Sequence, residues 1–164
     1  MDTRDRDNDC PFDAEAIRSS EFAGTDHFAA IYNVAPIVPG HSLVVPREHL
    51  TSLLDLDPSR QAGFFGFARH VTRFLLAEFS ATGFDWIIQD GQDAGQTVCH
   101  LHLHVIPRWK GDLPEPGDWY TRLRLPLGET GNGPVDSRAR TRLSEEKLQT
   151  VVTTLAGRIR AWAS

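Results

Sequence analysis

The sequence predicts an α+β domain with a mostly antiparallel sheet, and three observations carry that prediction. Four short runs rich in aliphatic and aromatic residues (28–32, 42–46, 84–88 and 98–107) read as strands lying near one another in sequence. One long segment from Asp57-Pro58 to Phe79 holds a helical period, and a second helix closes the chain from Ser144. Successive strands with few, long helices make an antiparallel sheet rather than a chain of parallel crossovers.

Each element has a local cause. Residues 1–20 are polar and read as a loosely held arm. Asn33-Val34-Ala35-Pro36-Ile37-Val38-Pro39-Gly40 is a turn between the first two strands, punctuated by two prolines and a glycine. Pro46 stops the second strand because it cannot donate to a ladder. Asp57 caps the long helix and Pro58 suits its first turn. Phe64, Phe67, Ala68, Val71, Phe74, Leu75 and Phe79 recur at spacings of three and four, forming one apolar stripe. Gly63 and Gly66 weaken that helix locally.

Gln89 to Gln96 is a polar loop between the last two strands. Residues 111–142, rich in Gly, Pro and charge, read as a long loop or flap. Ser144-Glu145-Glu146 supplies a cap and first-turn acids for the last helix, whose stripe is Leu148, Val151, Val152, Leu155, Ile159 and Trp162. The expected division is an arm (1–20), a core (21–112), and a loop plus C-terminal helix of the same domain (113–164).

The 164 residues suit one domain, with 40% hydrophobic and 24% charged residues. A net charge of -5 argues against a polymeric nucleic acid as partner, while leaving room for a small anionic ligand. Two cysteines, Cys10 and Cys99, offer no disulfide framework and suit a reducing compartment. The charged start has no apolar signal segment, and no run is long enough to span a membrane. The expectation is a cytoplasmic protein.

His100-Leu101-His102-Leu103-His104 places three of the seven histidines at alternate positions. On a strand the imidazoles share one face, rooted about 6.6 Å apart, while Leu101, Leu103 and Val105 point into a core. Cys99 falls on that apolar side, which predicts buried packing. Three chemistries are open to such a row: a structural role, a metal site, or nucleophilic catalysis by one ring nitrogen. Gly91 and Gly95 lie just upstream, in a loop ending in Gln96-Thr97, where backbone N–H groups can approach an anion. Arg108 and Lys110 follow and add positive charge. A phosphate-binding rim fits this arrangement better than a metal cage.

Gln89-Asp90-Gly91, Gly95-Gln96-Thr97-Val98 and His100 through Pro107-Arg108, with Pro39-Gly40-His41 and Pro46-Arg47-Glu48-His49 upstream, together resemble the signature of the histidine triad superfamily. Asn33 with Pro39-Gly40-His41, and Ile106-Pro107-Arg108 with Gly111-Asp112, are most similar to its fragile histidine triad branch. The resemblance runs from Phe28 to Asp112 and implies the fold of that superfamily. It implies hydrolysis of dinucleoside polyphosphates such as diadenosine tri- or tetraphosphate, with His102 as the nucleophile attacking the α-phosphorus. It assigns His104 to the phosphate or bridging oxygens and His100 to support of the network. By the same resemblance Gly95, Gln96, Thr97 and Val98 are expected to line the phosphate path, Gln89 to meet the phosphates or leaving group, and Asn33 the sugar.

Two further histidines divide between branches. His41 matches the fragile histidine triad branch, and His49 stands where the nucleotide-binding phosphoramidase branch has a fourth histidine. A nucleoside phosphoramidase, and a nucleotide-binding signalling module with slow turnover, are the rival readings. His27 and His70 look inert, His70 on a solvated helix edge. Some superfamily members carry Cys-x-x-Cys as half of a zinc site. Asp13 replaces the second cysteine after Cys10, so no metal ligands are assigned. No tightly bound cofactor is expected, the substrate can arrive as a magnesium complex, and the resemblance implies a homodimer.

Overall fold

The computed structural model describes Cys10, Phe12 and residues 14–113 and 141–162. Its elements are α1 (Ala14–Ser20), β1 (Glu21–Gly24), β2 (Phe28–Tyr32), β3 (Ser42–Pro46), α2 (Pro58–Glu78), β4 (Gly83–Ile87), β5 (Leu103–Arg108) and α3 (Glu145–Trp162). The strands form one sheet in the order β1-β2-β3-β5-β4, with every pairing antiparallel. The α+β expectation holds.

The β2–β3 hairpin runs in register from Phe28 opposite Pro46 to Tyr32 opposite Ser42. Its connection closes through the Asn33 N–H on the His41 carbonyl at 3.1 Å and the His41 N–H on the Val38 carbonyl at 3.1 Å. Gly40 is required there twice over. Its φ is +83°, and a Cβ would meet the Phe79 and Pro107 rings at 2.8 and 2.9 Å.

One sheet face carries the main core. Phe28, Ala30, Tyr32, Val44, Leu101, Leu103 and Val105 pack against Phe64, Ala68, Val71, Phe74 and Leu75 of α2 and Val152, Leu155 and Ile159 of α3. Burying each large apolar side chain contributes about 1.5–3 kcal/mol. The Asp57 carboxylate accepts the Ser59 N–H at 2.7 Å and starts α2 as its sequence predicts. On the opposite face Ala29, Ile31, Leu43 and Val45 are covered by Ile17 and Phe12. His104 pairs with Leu43 on one side and Ile87 on the other, so it shares this second face.

Several expectations need correction. The N-terminal arm ends in structure: α1 buries Ile17 and Ser20, and β1 adds an edge strand. Four residues paired through an irregular register leave little periodic trace in a sequence. The triad strand begins only at Leu103, because a tight turn joins the His100 N–H to the Val98 carbonyl at 2.8 Å. The Leu101 N–H then bonds the Leu50 carbonyl rather than a ladder. Leu101 still enters the core, so the alternation of faces survives from His100 to His104. Cys99 is exposed, not buried, since the turn breaks the alternation just before His100. β4 begins and ends one residue earlier than expected. Most of the predicted loop at 111–142 lies outside the described residues.

Candidate active site

His41, His100, His102 and His104 are all buried. The end of β3, the approach to β5 and the β2–β3 connection converge on them, giving each ring a distinct set of partners. His102 donates from Nδ1 to the His100 carbonyl at 2.7 Å. That bond fixes the proton on Nδ1 and leaves Nε2 with a bare lone pair. Burial pushes the His102 pKa down against the opposing pull of the carbonyl, which keeps the ring neutral at pH 7.

A second chain of bonds sets His104. The Ile37 N–H donates to His41 Nδ1 at 3.2 Å, so the His41 proton resides on Nε2. His41 Nε2 faces His104 Nδ1 at 2.9 Å and donates to it. His104 therefore carries its own proton on Nε2, as a neutral hydrogen-bond donor. Asn33 lies beside the pair: its Oδ1 accepts the Ala35 N–H at 2.9 Å, while its Nδ2 sits 3.3 Å from His41 Nε2, which in this tautomer carries a proton and cannot accept from it. Its amide oxygen is thus engaged beside the histidines.

His100 is turned differently. Its Nε2–H donates to the Pro46 carbonyl at 2.9 Å, and Nδ1 faces Cys10 Sγ at 3.5 Å. Desolvation, with smaller contributions from His49 and His102 and opposed by the Pro46 carbonyl, lowers its pKa to about 4. The His49 ring centroid is 5.1 Å from that of His100. His41 and His49, ambiguous in sequence, thus divide in space: His41 serves His104 and His49 flanks His100. His70 is exposed, beside Trp162 at the end of α3.

The glycine loop is rigidly self-bonded. Gly91 and Gly95 have φ of +88° and +91°. The Gly91 N–H donates to Gln96 Oε1 at 2.8 Å, while Gln96 Nε2 donates to the Thr51 carbonyl at 2.8 Å. Gln89 Nε2 donates to the Ala94 carbonyl at 3.0 Å, and Asp90 accepts from Ser52 Oγ and the Leu53 N–H. The N–H groups of Ala94, Gly95 and Gln96 also close within the loop. The amides of Thr97 and Val98 have no partner among the described residues, which leaves them available to an anion.

The expected cationic rim is not built as predicted. Arg108 bonds Asp85 at 2.6 Å and Asp112 at 2.7 Å. Two carboxylates absorb its charge and its donors, so its role is structural. Lys110 is exposed.

Sequence reading missed two features. Phe12 sets its ring edge-on to His100 and His102, at 5.7 and 5.6 Å between centroids. Cys10, His49 and His100 bring one donor atom each within 4.8 Å of one another. Asp13, on which the metal expectation turned, lies outside the described residues. Phe12 sits in a stretch with no periodic signal, and nothing local joins Cys10 to His49.

The sequence matches the HIT domain model over residues 15–111. It is 43% identical over 107 residues to the asymmetrical bis(5'-nucleosyl)-tetraphosphatase of Schizosaccharomyces pombe, covering 65% of this chain and 59% of that one. It is 35% identical over 108 residues to the bis(5'-adenosyl)-triphosphatase of Dictyostelium discoideum, covering 65% and 72%. The structure is similar to the C. elegans NitFhit protein, with a TM-score of 0.64 at 27% identity, covering 85% of this chain and 27% of that one. The histidine row, its loop and the sheet that carries them make this chain a member of the HIT domain family.

Proposed function

We propose that this protein hydrolyses dinucleoside polyphosphates, such as diadenosine tri- or tetraphosphate, at the α-phosphate. The observation that carries this is the His102 Nδ1–H bond to the His100 carbonyl. It presents a buried, neutral nitrogen lone pair beside a ring tautomerised to donate.

Nε2 of His102 forms a bond to the α-phosphorus as the bond from phosphorus to the bridging oxygen breaks. The bond's electron pair departs with the leaving nucleotide. His104 Nε2–H donates to the oxygens on which charge accumulates, with the Thr97 and Val98 amides alongside. Water then attacks phosphorus, the P–N bond breaks, and its pair returns to Nε2. One water proton passes to solvent, and a nucleoside monophosphate is released. Phosphoryl transfer asks chiefly for placement and charge stabilisation, which fixed tautomers and a braced loop supply.

The named activities of the fission yeast and Dictyostelium relatives support the same substrate class. A homodimer joined along β4, the sheet edge that exposes Phe84, extends the reading, as do a cytoplasmic location and a magnesium-complexed substrate. Among the described residues no helix is long and apolar enough to cross a membrane.

The test offers diadenosine triphosphate, diadenosine tetraphosphate and adenosine phosphoramidate side by side, each with magnesium and again with chelator. Turnover of the dinucleotides with release of a nucleoside monophosphate supports the proposal. Turnover of the phosphoramidate alone would make the protein a phosphoramidase. Nucleotide binding with negligible turnover would make it a signalling module.

A further inference from the structure

We propose that residues 50–53, between β3 and α2, are a positioning element for the reaction, holding the Thr97 and Val98 amides in fixed register with His102 through Asp90 and Gln96. The inference deepens the hydrolase reading and rests on it for its chemistry.

The segment is itself anchored. Leu50 and Leu53 pack against the main core. The Ser52 hydroxyl accepts the Leu54 N–H at 3.0 Å and starts a short turn that leads to Leu56, buried at 2% exposure. With its apolar side chains held inward, the segment turns its polar groups to the glycine loop, and bonds cross at successive residues. The Leu101 N–H donates to the Leu50 carbonyl. Gln96 Nε2 donates to the Thr51 carbonyl at 2.8 Å. Ser52 Oγ and the Leu53 N–H donate to Asp90 Oδ2, at 2.9 and 2.8 Å.

These bonds bracket the reacting groups. Asp90 and Gln96 precede Thr97 and Val98, whose amides have no partner among the described residues. Leu101 directly follows His100, whose carbonyl holds the His102 proton. Both ends of the strip from 90 to 101 are thus tied to one short segment, so amides and nucleophile keep a single spacing. Group transfer depends on such spacing, since a misplacement of about 1 Å can cost about 100-fold.

The bonding of Gln96 separates bracing from contact. Its Oε1 accepts the Gly91 N–H at 2.8 Å, its Nε2 serves Thr51, and its own N–H donates to the Gly91 carbonyl at 3.1 Å. A side chain taken at both ends braces the loop rather than the phosphate it is expected to line. Asp90 acts by position too. Both of its bonds fall on one oxygen, which the single carbonyl oxygen of asparagine reproduces. A carboxylate in the loop of an anion site repels its ligand, so what Asp90 contributes is the place of that oxygen and not its charge.

Steady-state kinetics on diadenosine triphosphate compare wild type with Asp90→Ala, Asp90→Asn, Gln96→Ala, Ser52→Ala and the paired alanine variants. Asp90→Ala and Gln96→Ala each lower kcat/KM by roughly ten- to 100-fold, with kcat bearing the larger share because charge on the phosphate oxygens grows in the transition state. Asp90→Asn stays within about threefold of wild type. Asp90→Ala combined with Gln96→Ala is no more than about threefold slower than the worse single variant, because both release the same segment. In a second measurement, saturating adenosine monophosphate shifts the Thr97 and Val98 amide resonances in wild type and Asp90→Asn, and shifts them less than half as far in Asp90→Ala. If Asp90→Ala fails to fold by circular dichroism, Ser52→Ala takes its place in both measurements. Losses that multiply in the double variant would make Gln96 a phosphate ligand in its own right and overturn the shared element. An Asp90→Asn variant as slow as Asp90→Ala would overturn the positional role, as would amide shifts of wild-type size in Asp90→Ala. If wild type turns over no dinucleotide, the hydrolase reading fails, and the monophosphate shifts alone decide whether residues 50–53 set the amides.

Discussion

Replacing His41 by alanine tests whether the tautomer of His104 matters to the chemistry. The substitution removes the 2.9 Å bond to His104 Nδ1 and the link from that ring to the Ile37 N–H. A lost neutral hydrogen bond is worth roughly 1 kcal/mol, and a buried acceptor left unsatisfied costs about 1–3 kcal/mol. His104 then has no fixed reason to keep its proton on Nε2, so the loss falls on the transition state, where charge grows on the phosphate oxygens. One to three kcal/mol corresponds to roughly a five- to 150-fold fall in kcat. KM for diadenosine triphosphate stays within about twofold, because the Thr97 and Val98 amides are untouched. His41→Gln, whose amide can again donate to Nδ1, recovers most of the lost rate. Steady-state kinetics of all three proteins, with thermal unfolding to confirm the fold, provide the measurement. A kcat within twofold of wild type for the alanine variant would refute the relay. So would a glutamine variant as slow as the alanine one.

Other expectations follow from the same geometry. His102→Ala removes the attacking nitrogen but not the loop, so kcat/KM falls by roughly four orders of magnitude or more while nucleotide affinity measured calorimetrically stays within a few-fold; retained turnover would assign the nucleophile elsewhere. Gly66 lies on the exposed side of α2, where an added Cβ meets nothing within 4 Å. Gly66→Ala should raise stability by about 0.5–1 kcal/mol, read as a higher urea midpoint at unchanged slope. The Arg108 guanidinium holds the Asp112 carboxyl below the usual carboxylate range. A depressed folded pKa contributes stability above the unfolded value and loses it as pH falls through the folded one. The urea midpoint should therefore drop below about pH 4, and Asp112→Asn should flatten that decline; an unchanged acid slope would contradict it.

What was legible in the sequence was what depends on short-range periodicity. The stripe from Phe64 to Leu75 sits in the core and the hairpin from Phe28 to Pro46 forms in register, because helix and strand periods act over a few residues. The histidine row was legible for the same reason, and its alternation outlasts the loss of strand geometry before Leu103. The α1 helix and β1 were not legible, since each is too short to show a period and is held mainly by what it packs on. Arg108 looked like a source of positive charge for the phosphate rim because nothing local announces that Asp85, on the neighbouring strand, will claim it.

The sequence by itself thus determined the fold class, the family and the row of reactive rings. Tertiary structure decided what each ring does. A carbonyl two residues back orients His102, but His104 is set by His41, 63 positions away, and His100 is braced by Pro46, 54 positions away. An imidazole's chemistry depends on which nitrogen holds the proton. That depends on a partner within about 3 Å, which only the folded chain brings into place.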